Sequence, residues 1–374
     1  MRGLRNIFRL GLKELWSLFR DPVLMALVVY TFTAAVFAVA HGVQTEVRNA
    51  AIAVVDEDRS IVSTRIRGTF LPPYFRPADL IDMGEMEPAM DRGSYTFVLQ
   101  VPAGFEADLL AGRQPTLQLN VDATAMTLAG NGTAYIQRIV QDELAAYLAG
   151  DGAPFELPAS LVPRAQFNPN LQSQWFFAVM QVIGNVTILS VVLSGAAVIR
   201  EREHGTIEHL MVMPVTALEI MLSKIWANGL VIVTAAVVSL LVVVEGLMGI
   251  SVPGSIGIFA IGAAVYLFSV TALGIMLATF ASTMPQFGLL AIPVFVVLYL
   301  LSGGVTPLEA MPDLLQKLMQ LSPATHFTTF AQAVLYRGAG LSLVWKELLA
   351  VICIGSVFLA FALFRFRKTM AAAR

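Results

Sequence analysis

Few side chains here are of a type and spacing suited to bond-making chemistry. Asp56, Glu57 and Asp58 are adjacent carboxylates. A hydrolase with two working carboxylates needs them facing each other across a substrate. Neighbours in an extended strand point to opposite sides, so this trio reads as a solvated cluster at a strand end. His204 and His209 are five residues apart, off the spacing that shares a helix face, and the residues between them do not form a zinc-protease HExxH. Four scattered histidines predict no metal site. The single cysteine, Cys353, excludes an intramolecular disulfide. No GxxxxGK(S/T) phosphate loop occurs. The expected catalytic set is therefore empty, and no ATP hydrolysis is encoded.

The densest charge run lies instead between two long apolar segments. It comprises Arg200, Glu201, Arg202, Glu203, His204, Gly205, Thr206, Glu208 and His209, and it closes at Pro214. A chain that re-enters a membrane needs only a few polar residues to turn. This one continues into a short amphipathic helix that would lie along the surface. Gly205 tolerates the angles that break a helix, Thr206 can cap the next one, and Pro214 stops it for want of an amide. One reading is a solvated juxtamembrane loop; the other is a handle gripped by a second protein.

The elements around this run are those of a membrane protein. Of 374 residues, 57% are hydrophobic and 13% charged, against roughly a quarter charged in soluble domains. A net charge of −2 gives no basic field for nucleic acid. Residues 1–22 predict an amphipathic interface helix, with Leu4, Phe8, Leu12, Leu15 and Phe19 interleaved with Arg5, Arg9, Lys13 and Arg20. Spans are expected near 23–40, 175–199, 220–244, 256–281, 287–301 and 348–364. Cationic flanks at both chain ends place the termini in the cytoplasm. The second span carries Gln181, Asn185, Ser190 and Ser194 in pairs four apart. Unpaired polar groups are costly in hydrocarbon, so these residues line either a pathway or a helix contact. Residues 305–338, with three prolines and two short apolar helices, predict a re-entrant segment.

Residues 41–172 differ in kind. Strands at 51–55, 95–101 and 116–121 alternate with helices at 60–70, 86–92, 105–111 and 127–148, which predicts an α/β domain outside the cytoplasm. Asn131-Gly132-Thr133 matches a glycosylation sequon, a pattern common by chance. The expected fold class is an α-helical polytopic membrane protein of about six transmembrane helices with an inserted α/β extracytoplasmic domain. Residues 173–374 supply the remaining five spans, with a coupling helix at 200–216.

The charge run Arg200–Leu210, followed by Met213, Pro214 and Val215, resembles the cytoplasmic coupling segment of ABC-2 type transporter permeases. Val101–Pro115 resembles the insert of these permeases, and Met311–His326 with Leu335–Gly338 resembles their re-entrant pair. The resemblance implies a bacterial inner-membrane exporter permease. Its coupling segment would dock on a separate ABC ATPase subunit. ATP and Mg would be bound by that partner, and no cofactor by this chain. The resemblance also implies a second permease copy or a related permease, a periplasmic membrane-fusion adaptor in some assemblies, and amphipathic or drug-like cargo. The competing readings are a secondary transporter or channel, a receptor sensing ligands through the insert, and a membrane-embedded hydrolase.

The topology yields a direct test. Cysteines introduced as Asp58→Cys and Gly205→Cys are expected to react with an impermeant thiol reagent from opposite sides of the membrane. Labelling of both from one side overturns the assignment.

Overall fold

The computed structural model describes residues 2–43, 47–122, 126–149, 173–203 and 215–372. They form two compact units, one of residues 1–42 and 174–374, the other of residues 43–173.

Among the described residues, the first unit holds five helices long and apolar enough to cross a membrane: Pro22–Gly42, Ser173–Glu203, Ala217–Leu247, Ile256–Ala278 and Leu341–Arg365. The expected fifth of six spans is the shorter helix Met284–Leu300, of 17 residues, at the lower limit of what covers a hydrocarbon core. The last helix begins at Leu341, seven residues before the expected 348, and continues to Ala372. The segment expected to be re-entrant resolves into a 3₁₀ turn at Leu308–Ala310 and helices Asp313–Met319 and Pro323–Arg337.

Ser173–Glu203 is the helix the others surround. In its most apolar window 89% of residues are buried, against 22% in the first and last spans. Its polar side chains explain this placement. Lipid cannot satisfy them, so they lie inside the bundle, bonded within their own helix or to a neighbour. Small residues let the helices approach closely: a Cβ at Gly274 of the fourth span would lie 2.2 Å from Ser194 Oγ and 2.9 Å from the Val191 carbonyl.

The first span is interrupted at Thr33, between helices Pro22–Phe32 and Ala34–Gly42. A break inside a membrane needs partners for the backbone groups beside it. The Thr31 carbonyl accepts from Asn185 Nδ2 of the second span. The Phe32 carbonyl accepts from Ser239 Oγ of the third span at 2.6 Å. Ser239 itself opens a π-helical stretch, Ser239–Leu247, that ends the third span. Neither the break nor the π turn was expected from the sequence.

In the second unit, strands β1 (Ile52–Asp56), β2 (Asp79–Leu80), β3 (Phe97–Val101) and β4 (Gln118–Val121) form one sheet in the order β2-β1-β3-β4. β1 runs parallel to β2 and β3, and β4 is antiparallel to β3. β2 was not anticipated, because two residues carry no periodicity. Alternation along β1 and β3 sends Ile52, Val54, Phe97 and Leu99 to the larger core with Val62, Ile66, Phe105 and Ile136. Ala53, Val55 and Val98 face the opposite layer with Met86 and Met90. Ser60 and Ser63 form a reciprocal cap on helix Ile61–Gly68.

Gly274→Ala is expected to destabilise the protein by about 1–3 kcal/mol, the usual cost of overpacking. Gly288→Ala, with nothing within 4 Å of the added carbon, serves as the neutral control. Thermal unfolding in detergent distinguishes them, and equal midpoints contradict the close helix contact.

Candidate functional site

Of the charged handle, Arg200, Glu201, Arg202 and Glu203 are described, whereas His204, Gly205, Thr206, Glu208 and His209 lie outside the described residues. The four described residues correct one boundary. They belong to the second-span helix, which runs unbroken from Ser173 to Glu203, rather than opening a separate coupling helix. Each engages a different part of the membrane unit. Arg200 pairs with Asp21 at 2.8 Å, the residue that also caps the first span through Val23 and Leu24 N–H. Arg202 donates to the Ala281 carbonyl. Glu203 accepts from the Met284 N–H at 2.9 Å, at the start of the short apolar helix. The end of the central helix is thereby tied to the first span and to the turn between the fourth span and Met284.

Glu201 reaches furthest inward. Its carboxylate lies 2.9 Å from Lys224 Nζ of the third span, and Glu14 of the N-terminal helix lies 3.0 Å from the same nitrogen. The Lys224 side chain is 2% exposed. A buried ammonium is strongly unfavourable unless paired, and here two carboxylates pair it. Three segments distant in sequence therefore meet at one charge. Beside them is a cavity of about 100 Å³ lined in part by Lys13, Glu14, Arg200, Glu201 and Asn228, large enough to hold water. Asn228, one turn beyond Lys224, presents a buried amide nitrogen with no partner among the described residues.

The N-terminal helix, Arg2–Arg20, is held against the third span by more than this charge. Trp226 Nε1 donates to the Ile7 carbonyl at 3.1 Å, and Phe8 stacks on the Trp226 ring at 5.7 Å. Gly3 and Gly11 allow the approach, since a Cβ at Gly11 would sit 2.1 Å from that indole. Sequence reasoning missed Glu14 and Lys224 as site residues. The available signal was that Glu14 is the one acid in residues 2–20, on the helix face opposite the arginines.

The second-span polar residues bond within their own helix and to the first span. Gln181 donates to Asn185 Oδ1 at 2.9 Å, and Asn185 donates to the first-span break. Ser190 and Ser194 are fully buried and return their hydroxyls to carbonyls of their own helix, at Val186 and Ser190.

The acidic trio disperses. Asp56 accepts from the backbone of Asp58 and Arg59 and from Ser63 Oγ, while Glu57 accepts from Gln100. Asp58 accepts from the Glu106 N–H. Burial works to raise the Asp58 pKa, but bonds from Ser60 and the 104–106 backbone outweigh it and hold the carboxyl below its ordinary value. Among the described residues no metal-holding group of three ligands occurs.

A helix sequestered among four other apolar spans, its polar side chains turned inward and its charged end knitted to its neighbours, defines a polytopic membrane protein built around one internal rod. The chain belongs to the ABC-2 family of transporter proteins, whose description it matches over residues 16–364. It is 47% identical to the inner membrane transport permease YhhJ of Escherichia coli (strain K12) over 99% of both chains. It is 31% identical to the probable multidrug ABC transporter permease YbhR of the same organism, over 96% of this chain and 97% of that one. The corresponding permease YbhS is 23% identical over 89% of each. The chain is thus a transporter permease.

Lys224→Met is expected to cost roughly 3–5 kcal/mol, because it leaves two largely desolvated carboxylates, 15% and 16% exposed, uncompensated. Adding Glu14→Gln and Glu201→Gln to it should restore most of the loss. Thermal unfolding and tryptic cleavage at Lys13 report the two effects, and a single variant as stable as the parent refutes the cluster's role.

Proposed function

We propose that this chain is the membrane subunit of an ATP-driven exporter in the bacterial inner membrane, moving an amphipathic small molecule outward. An ABC ATPase, carrying the ATP and Mg, would grip residues 200–216, including His204, Gly205, Thr206, Glu208 and His209, and touch the N-terminal helix. The reading rests on one observation above all. The helix entering this segment continues without interruption into the buried middle of the bundle. A displacement at its charged end is therefore carried by a stiff lever, and the Glu201–Lys224–Glu14 junction shares it with two further helices. Rigid elements with two stable positions are how such a stroke reaches a distant site.

A pathway along Gln181, Asn185, Ser190 and Ser194 requires the helices that now cover them to part, which is what the stroke would accomplish. The apolar groove of about 270 Å³ between the second span and Met284–Leu300, lined by residues such as Val191, Phe287 and Phe295, suits apolar cargo. The names of YhhJ and YbhR as inner-membrane and multidrug permeases support the location and the cargo class. Five full-length spans among the described residues are few to enclose a conduit, so a second copy or a related permease would complete it, with a periplasmic membrane-fusion adaptor accompanying some assemblies. Both termini would be cytoplasmic and the unit at 43–173 extracytoplasmic.

Co-purification with the ATPase, followed by reconstitution in vesicles, tests the reading. Export of an amphipathic dye is expected only with the ATPase and ATP. Transport by the purified permease alone, with no nucleotide, establishes the secondary-transporter reading instead.

A further inference from the structure

We infer that the corner where the N-terminal helix meets the first span is a binding site for one anionic phospholipid of the cytoplasmic leaflet. The inference uses the orientation proposed above, with the N-terminal helix on the cytoplasmic side.

The N-terminal helix has three faces. Ile7, Gly11, Glu14 and Leu18 turn to the protein. Leu4, Phe8, Leu12 and Phe19 form an apolar stripe with exposures from 39% to 80%. Arg5, Arg9, Lys13, Trp16 and Arg20, spaced four, four, three and four residues apart, form a third stripe, and all five are exposed. Helical spacing puts them on one side. None of Arg5, Arg9 and Arg20 has an ion-pair partner among the described residues. A helix with an apolar face beside a cationic one is built for an anionic membrane surface.

At the C-terminal end of this helix the general attraction acquires a shape. A shallow depression is lined by Lys13, Trp16, Ser17, Arg20, Asp21 and Pro22. The Arg20 guanidinium sits 5.6 Å from the Trp16 ring centroid, leaving its outer N–H groups to donate. The acid in the depression, Asp21, is already committed to Arg200 and to the first-span N–H groups, so the local balance stays cationic. Glu14 and Glu201, the other nearby acids, are held by Lys224.

From the same corner an apolar groove of about 500 Å³ runs between the first and third spans, bounded by Phe19, Val29, Phe32, Leu230, Thr234 and Val238 among others. Along the third span it extends from Leu230 to Ser239, about 13 Å at 1.5 Å per residue. It is therefore an elongated apolar slot parallel to the spans, and Leu15 and Phe19, which line it, are the sequence neighbours of Trp16 and Arg20 in the depression. An acyl chain joined to a phosphate fits both features, the chain in the slot and the phosphate against Arg20, Lys13 and the Ser17 hydroxyl. The slot ends at Thr33 and Ser239, beside the break in the first span, so its occupant would brace that break.

The test uses full-length permease without ATPase or cargo, exchanged into nanodiscs of equimolar phosphatidylglycerol and phosphatidylethanolamine, with co-purifying lipid counted by native mass spectrometry. Retention of one phosphatidylglycerol per chain is expected. Lys13→Gln with Arg20→Gln should weaken retention by about fivefold per charge removed. Thr234→Trp, which fills the slot at an exposed position and leaves every charge in place, should abolish it. Arg5→Gln, on the cationic stripe but away from the depression, should leave the retained lipid unchanged. Equal retention of the two lipids, or retention insensitive to Thr234→Trp, overturns the inference. So does a Thr234→Cys variant that forms disulfide-linked pairs of chains, since a second copy would then fill the slot. Because the readout needs neither nucleotide nor transport, loss of the exporter reading and loss of the lipid site remain separable.

Discussion

A single buried ammonium sets the arrangement of the membrane unit. Lys224 has almost no contact with solvent, and its charge is tolerable only because Glu14 and Glu201 approach it from two other helices. The requirement is mutual. Without Lys224 the two carboxylates would repel across a small cavity, and without either carboxylate the ammonium would be undercompensated. Once this junction is made, the N-terminal helix lies along the third span, where Gly11 and Trp226 fit together. The end of the central helix is likewise fixed, and Arg200, Arg202 and Glu203 then find their partners around it.

The same logic operates deeper in the bundle, with neutral groups. The central helix carries more polar side chains than lipid tolerates, and the first span contains a break that exposes carbonyls to hydrocarbon. Each defect serves as the other's remedy: Asn185 from the central helix bonds at the break, and Ser239 completes it from the third span. Polar residues thus fix which helices are neighbours. Apolar burial then fills the contacts around Gly274 and Ser194. A bundle joined by a few directional bonds over small-residue contacts can part along those contacts, which is a physical prerequisite for any carrier.

Much of this was legible in the linear chain. Five of the six expected spans and the amphipathic N-terminal helix followed from composition and periodicity, the sixth being the shorter helix Met284–Leu300. So did β1, β3 and β4, because long segments with a regular pattern carry their own signal. The two-residue β2 did not, having no pattern to carry. The break at Thr33 was equally invisible: Thr-Phe-Thr-Ala is a sequence that a helix accepts, and the interruption is held by side chains more than 150 residues away. The handle was legible as an unusual charge run, but not the inward engagement of its first four residues. Ser190 and Ser194 were legible as groups of a pathway or a helix contact, but not as hydroxyls bonded back to carbonyls of their own helix.

The residues alone determined what had to be buried, what had to stay in water, and which period each segment would follow, because those properties depend on side-chain chemistry and local backbone geometry. They contain no phosphate-loop motif and a single cysteine, which excludes an intramolecular disulfide. Only the tertiary structure decided which charge meets which. Whether Lys224 faces Glu14, Glu201 or solvent depends on distances between helices far apart along the chain, and electrostatic energy in a low-dielectric interior changes steeply with those distances.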